Sequence, residues 1–128
     1  MDKLKIGLKG IARDTVTENN TARAYGSGQV DVYATPAMIG LMECAALSAV
    51  DPLLSEGKTT VGIFVAVRHL AATSLGMAVE AKAYLKEIDG RRLVFQVEAF
   101  DGKAKIGDGE HQRFVVDAEK FLSRVETE

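Results

Sequence analysis

The chain is short of the residues that most directly announce a chemistry. Its 128 residues include one cysteine, two histidines, two prolines and no tryptophan, and its aromatics are five Phe and three Tyr. A lone thiol, Cys44, excludes an intramolecular disulfide and leaves no cysteine cluster for zinc. His69 and His111 stand 42 positions apart and, with one cysteine, make no recognisable metal-ligand set. Charge of one sign is lacking too: 16 Lys and Arg against 18 Asp and Glu leave a net charge of -2. No strong basic field therefore favours nucleic acid or an anionic membrane surface. The N-terminal MDKLKIGLKG alternates lysines with other residues and has no apolar signal core, so a cytoplasmic protein is expected.

What is present is a chain 47% hydrophobic and 27% charged, which fits one globular domain over residues 1–128 with its own core. The charged residues avoid one stretch. Between Val32 and Val50 (VYATPAMIGLMECAALSAV) only Glu43 is charged. The run approaches the length of a membrane span, but Pro36, Gly40 and Glu43 interrupt it and strand-like segments follow, so it reads as a buried helix. Thr35-Pro36 is a helix-start signal, with Thr35 as N-cap and Pro36 at the first helical position. Asp51-Pro52 ends the helix, and a short turn over 52–56 stops at Gly57.

The remainder is rich in strand patterns. Lys3 to Thr17 alternates weakly, and the polar segment 18–31 reads as a loop or lid. Thr59 to Leu70 is β-branched and apolar on both faces as far as Arg68, which predicts a central strand covered on both sides. Ala78 to Ile88 and Arg92 to Phe100 alternate, and Asp89-Gly90 between them is a hairpin signal. Lys105 to Val116 forms the last strand, with Gly107 and Gly109 as bulge points, and Asp117 to Val125 a terminal helix. A helix apolar on nearly all faces must be wrapped. An antiparallel sheet curled around one central helix does this, an α+β arrangement. Such a sheet leaves an edge strand, so a homodimer or higher homo-oligomer is expected.

Three residues stand out for chemistry. A carboxylate in an apolar helix is either satisfied by hydrogen bonds or kept for chemistry, and Glu43 is that residue. In an unbulged strand His69 continues the row Val61, Ile63, Val65 and Val67, so it is either a satisfied core histidine or a base paired with a carboxylate. Thr35 is either a plain N-cap or a hydroxyl beside unpaired helix amides, placed to bond or attack a substrate. Cys44, inside an apolar helix, is read as inert. Arg113 shares a face with His111 and is either solvated or a cation for an anionic group. Arg91 and Arg92 flank a turn and read as solvated.

The segments ATPAMIGLMECAAL (34–47), TTVGIFVAVRHLAAT (59–73), EIDGRRLVFQVEAFDG (87–102) and IGDGEHQRFVVD (106–117) resemble the fluoroacetyl-CoA thioesterase-like family of the hotdog-fold superfamily. The resemblance covers residues from about 30 to 124 in the same order. It implies a dimer in which an antiparallel sheet wraps a long helix, with sites at the interface where short acyl-CoA thioesters are hydrolysed. It also implies roles: Thr35, Glu43 and His69 as the catalytic set, with Gly62 and Arg113 lining the substrate. The helix-start amides around Thr35 and Pro36, or the backbone near Gly62, would hold the oxyanion. The helix of one subunit would face the histidine strand of the other. No cofactor is implied beyond the coenzyme A of the substrate. One departure is visible. The fluoroacetyl-selective member carries an aromatic lid before the threonine, whereas here YGSGQVDVYA (25–34) has tyrosines but no phenylalanine, and Gly26, Gly28 and Gln29 suggest a more open, polar lid. Two alternatives stay open from the residues: a non-catalytic acyl-CoA-binding module, and a hotdog enoyl-CoA hydratase or dehydratase.

Overall fold

The structure, a computed structural model, describes residues 3–127. Its elements are β1 (Lys9–Thr15), α1 (Ala22–Tyr25), α2 (Thr35–Val50), a 3-10 turn (Asp51–Leu53), β2 (Lys58–His69), β3 (Ala78–Asp89), β4 (Arg92–Asp101), β5 (Lys105–Asp117) and α3 (Ala118–Thr127). The strands make one antiparallel sheet in the order β1-β3-β4-β5-β2. The hairpin at Asp89-Gly90 and the alternation on both of its strands are as the sequence predicts. Val79, Ala81, Ala83 and Leu85 of β3 and Leu93, Phe95, Val97 and Ala99 of β4 are all buried toward the helix. β1 is shorter than its weak alternation predicts, because a turn at Ile6-Gly7 precedes it.

α2 lies against this inner face. Ala37, Met38, Met42, Ala45, Ala46 and Ala49 are buried, a stripe at helical spacing. The many alanines let the backbones approach closely, and β1 answers with Gly10. A Cβ at Gly10 would collide with the Ala45 carbonyl oxygen and lie 2.6 Å from Ser48 Oγ. The opposite stripe of the helix, with Pro36, Gly40, Cys44 and Leu47, is exposed within the chain. The sheet therefore curls along one side of the helix rather than enclosing it. Thr35–Leu53 is long and apolar enough to cross a membrane by length and composition alone.

Two local expectations change. β2 is an edge strand, not a central one, and its Ile63, Phe64 and Val65 are 50%, 45% and 37% exposed. Its apolar composition on both faces thus does not reflect cover from its own chain. Thr35 is not the N-cap of α2. Ala34 takes that position in extended conformation (φ -74°, ψ 142°) without a side-chain cap, so Thr35 is the first helical residue and Pro36 the second. The helix start is held instead by the backbone, through Ala34 N–H to Asn20 O (2.9 Å) and Met38 N–H to Ala34 O (3.0 Å). That arrangement leaves the Thr35 hydroxyl free for another partner.

Replacing Gly10 with alanine forces β1 off the helix backbone. We expect Gly10→Ala to lose about 1–3 kcal/mol of stability, as overpacked cores do. Urea denaturation measures it, and an unchanged midpoint would contradict the close approach.

Candidate functional site

The hydroxyl that capping leaves free meets the histidine that ends β2. Thr35 Oγ1 lies 2.7 Å from His69 Nδ1. His69 Nε2 is buried and has no hydrogen-bond partner among the described residues, so one face of the imidazole is available to a further group. Burial lowers the His69 pKa from 6.5, and the Ala71 backbone partly offsets this. The imidazole is therefore neutral near pH 7, the form that accepts a proton. Beside the pair is a cleft of ≈ 360 Å³ lined by Ala22, Ser27, Val32, Tyr33, Thr35 and His69, among others. The segment before α2 is held by its own hydrogen bonds. Thr21 Oγ1 caps α1, and Arg23 binds Asp31 (3.1 Å) and the Gln29 carbonyl (2.8 Å). Below, the buried Tyr33 donates its hydroxyl to Asp14 Oδ2 (2.9 Å).

A second group of side chains collects around Gly62. A Cβ there would lie 2.6 Å from Glu43 Oε2, 3.3 Å from His111 Cε1 and 3.6 Å from Arg113 Nη1. The bare glycine is thus a hollow in β2 over which the half-buried Glu43 carboxylate rests. Arg113 is only 5% exposed, and a buried guanidinium is costly unless its donors are used. All three of its nitrogens are engaged. Nε donates to Thr60 Oγ1 (2.8 Å), Nη2 to Thr60 O (3.0 Å) and Nη1 to His111 Nε2 (3.1 Å). Thr60 in turn donates to Asp51 Oδ1 (2.6 Å). Burial lowers the Arg113 pKa while Asp51 and Glu43 oppose the shift, and a guanidinium remains charged in any case.

The two groups share a face of β2 only because the strand is irregular. Gly62 and His69 are seven residues apart, an odd spacing that puts them on opposite faces of a regular strand. The register slips between Gly62 and Phe64: Gly62 pairs with Arg113, Phe64 with Gln112 and Val65 with His111. Ile63 is the extra residue. The inner face thus runs Thr60, Gly62, then Val65, Val67 and His69, and the predicted row through Ile63 is broken. Bulges re-aim side chains in this way.

Thr35 and His69 are brought together within the chain, and Glu43, Gly62 and Arg113 are brought together, but the groups stay apart. Eight residues of helix separate Thr35 from Glu43 by about 12 Å. Roughly 20 Å of strand separates Gly62 from His69. Pro36 carries no N–H, so the free amides at the helix start belong to Thr35 and Ala37, which donate to no other group among the described residues. Cys44 is exposed rather than buried in the helix. Arg91 is exposed, and Arg92 pairs with Glu87 and Asp89 at 3.2 and 3.1 Å. Among the described residues no three His, Cys, Asp or Glu side chains converge as metal ligands would. The sequence reading missed His111, Thr60 and Asp51. The shared face of His111 and Arg113 was the available signal.

Fold and site together define a hotdog-fold protein with a hydroxyl–imidazole pair at the start of its helix. A sequence model of the fluoroacetyl-CoA-specific thioesterases matches residues 16–119. The chain belongs to that family. A fluoroacetyl-CoA thioesterase from Streptantibioticus cattleyicolor is 43% identical over 95 residues, 74% of this chain and 68% of the relative. A solved fluoroacetyl-CoA thioesterase superposes with a TM-score of 0.92 at 35% identity, covering 99% of this chain and 98% of the other. A thioesterase superfamily member from Thermus thermophilus superposes at 0.90 with 30% identity over 99% and 94%.

Two outcomes follow from this geometry. The Cβ added by Gly62→Ala meets the flexible end of Glu43, so the variant should fold while the carboxylate is displaced. We expect an activity loss of about 10-fold or more with a melting temperature close to wild type; activity equal to wild type would separate Glu43 from the site. The second concerns pH. His69 and His111 both have folded pKa values below 6.5. The unfolded chain therefore binds those protons first, and stability is present above about pH 6.5 and lost as pH falls below it. Calorimetry at about pH 7.5 and 5.5 should show the lower melting temperature in acid. A melting temperature that rises in acid would contradict the assignment.

Proposed function

We propose that this protein hydrolyses small acyl-CoA thioesters to the free acid and coenzyme A, acting as a homodimer with Thr35, Glu43 and His69 as its catalytic set. Membership of the thioesterase family supports the reaction. The observation that carries the site is the 2.7 Å contact between Thr35 Oγ1 and His69 Nδ1 beside a cleft. A hydroxyl bonded to an imidazole is the arrangement of an activated nucleophile or of a group that orients water. The Thr35 and Ala37 amides at the positive end of α2 supply donors for the oxyanion. Water adds to the carbonyl, the C–S bond breaks, and His69 returns the proton to the thiolate.

The dimer supplies the missing carboxylate. β2 is an exposed apolar edge and α2 has an exposed apolar stripe beside it. Residues 62–66 are the exposed run of β2. An antiparallel pairing of two such strands about Val65 sets Gly62, and the Glu43 above it, beside the partner's His69. The cleft walls at Ala22, Ser27 and Val32 are small, and the lining Tyr33 is buried with its hydroxyl on Asp14. The reading is therefore a small-acyl thioesterase without strong selection for the fluoroacetyl group, working in the cytoplasm.

Thiol release from acetyl-, fluoroacetyl- and longer acyl-CoA tests the reaction. We expect Glu43→Ala and His69→Ala each to lose about 100-fold or more while remaining folded dimers. Full activity in both would sink the assignment. Mixing the two inactive variants tests the shared site. Subunit exchange should restore about a quarter of wild-type activity, since each mixed dimer keeps one intact site. No recovery despite exchange would place each site within one subunit.

A further inference from the structure

His111 is buried at 1% exposure and occupies the centre of the inner face of β5, yet nothing above gives it a part in the reaction. Its surroundings are specific. Nδ1 lies 2.8 Å from the carbonyl oxygen of Phe64, the residue that follows the Ile63 bulge. Nε2 lies 3.1 Å from Arg113 Nη1. A carbonyl only accepts and a guanidinium only donates, so the roles are fixed. His111 donates from Nδ1 and accepts at Nε2, which makes it the neutral Nδ1–H tautomer. The Phe95 ring of β4 stacks on it with centroids 6.3 Å apart. The titratable groups that face it are Arg113 on its own strand and Glu43 from α2.

We propose that His111 is a positioning residue of the thioester site: as a neutral imidazole it locks the Ile63 bulge through the Phe64 carbonyl and aims the Arg113 guanidinium at the hollow over Gly62. One ring thereby connects the two features that the site needs. The bulge sets the phase between Gly62 and His69. The guanidinium faces the place where Glu43 rests and, in the proposed dimer, where the acyl group ends. A protonated ring cannot serve, because Nε2–H would then oppose the Arg113 N–H and add a second buried positive charge. Burial lowers the His111 pKa and Arg113 adds to this, while the Phe64 bond and Glu43 oppose it without restoring the ordinary value. The functional part of the proposal rests on the thioesterase reading, while the tautomer does not.

The test has two independent parts. In the wild-type protein, nitrogen-15 NMR of the ring, assigned against His69→Ala, should give the Nδ1–H tautomer at pH 7. An Nε2–H tautomer or an imidazolium overturns the proposal whether or not thioesters are turned over. The second part separates the two bonds. In His111→Asn the amide nitrogen replaces Nδ1 and keeps the Phe64 bond but loses the acceptor for Arg113. In His111→Gln the side-chain oxygen reaches the Nε2 position and keeps the Arg113 bond but loses the donor to Phe64. We expect His111→Asn to raise KM about 10-fold with a smaller effect on kcat, and His111→Gln to lower kcat about 10-fold with a smaller effect on KM. Wild-type kcat and KM in both folded variants, or the same loss in both parameters for both variants, overturns it. If neither variant folds, the tautomer decides. If the wild type turns over no thioester, the thioesterase reading fails while the tautomer still stands or falls by NMR.

Discussion

One extra residue in β2 decides which side chains share the inner face of the sheet. A strand returns its side chains to the same face every second residue, and Gly62 and His69 violate that rule unless a residue is added between them. Ile63 is the addition. The ladder resumes with Phe64 opposite Gln112, and the Phe64 carbonyl takes a hydrogen bond from the buried His111. From that point the inner face carries Val65, Val67 and His69. Without the slip His69 would point away from α2 and from Thr35. The backbone irregularity, the histidine that holds it and the arginine beside that histidine therefore form one unit.

A second constraint comes from the helix. An alanine-rich stripe lets α2 sit close on β1 and β3, tightly enough that Gly10 has no space for a side chain. The same helix keeps its other stripe uncovered, adjacent to an edge strand that is also apolar. Exposed apolar surface on two neighbouring elements at the mouth of a site favours association, since it removes both from water together. It also accounts for the position of Glu43. The residue lies at the border between the covered and uncovered stripes, half-buried, where a carboxylate can keep some hydration.

Much was legible in advance where the signal was local. Alternation in β3 and β4, the Asp89-Gly90 turn and the extent of α2 each depend on side-chain period and turn chemistry within a few residues. The edge position of β2 was not legible. A strand apolar on both faces looks the same whether its own chain or another copy covers it. The capping of α2 was misread for a related reason. Thr35 has the chemistry of an N-cap, but the contact with His69 takes its hydroxyl and the helix begins one residue earlier.

By itself the sequence determined the element order and the residue types able to do acid–base chemistry, which follow from pattern and spacing along the chain, and the family, which follows from the likeness of its segments to known members. Only the tertiary structure decided which of those residues meet. It placed Thr35 on His69, set Glu43 over Gly62 instead of beside either of them, and drew His111, Thr60 and Asp51 into the Arg113 network. The physical reason is register. Pairing between β2 and β5, with its one-residue slip, fixes which side chains share a face, and two stretches of chain separated by β3 and β4 settle that jointly.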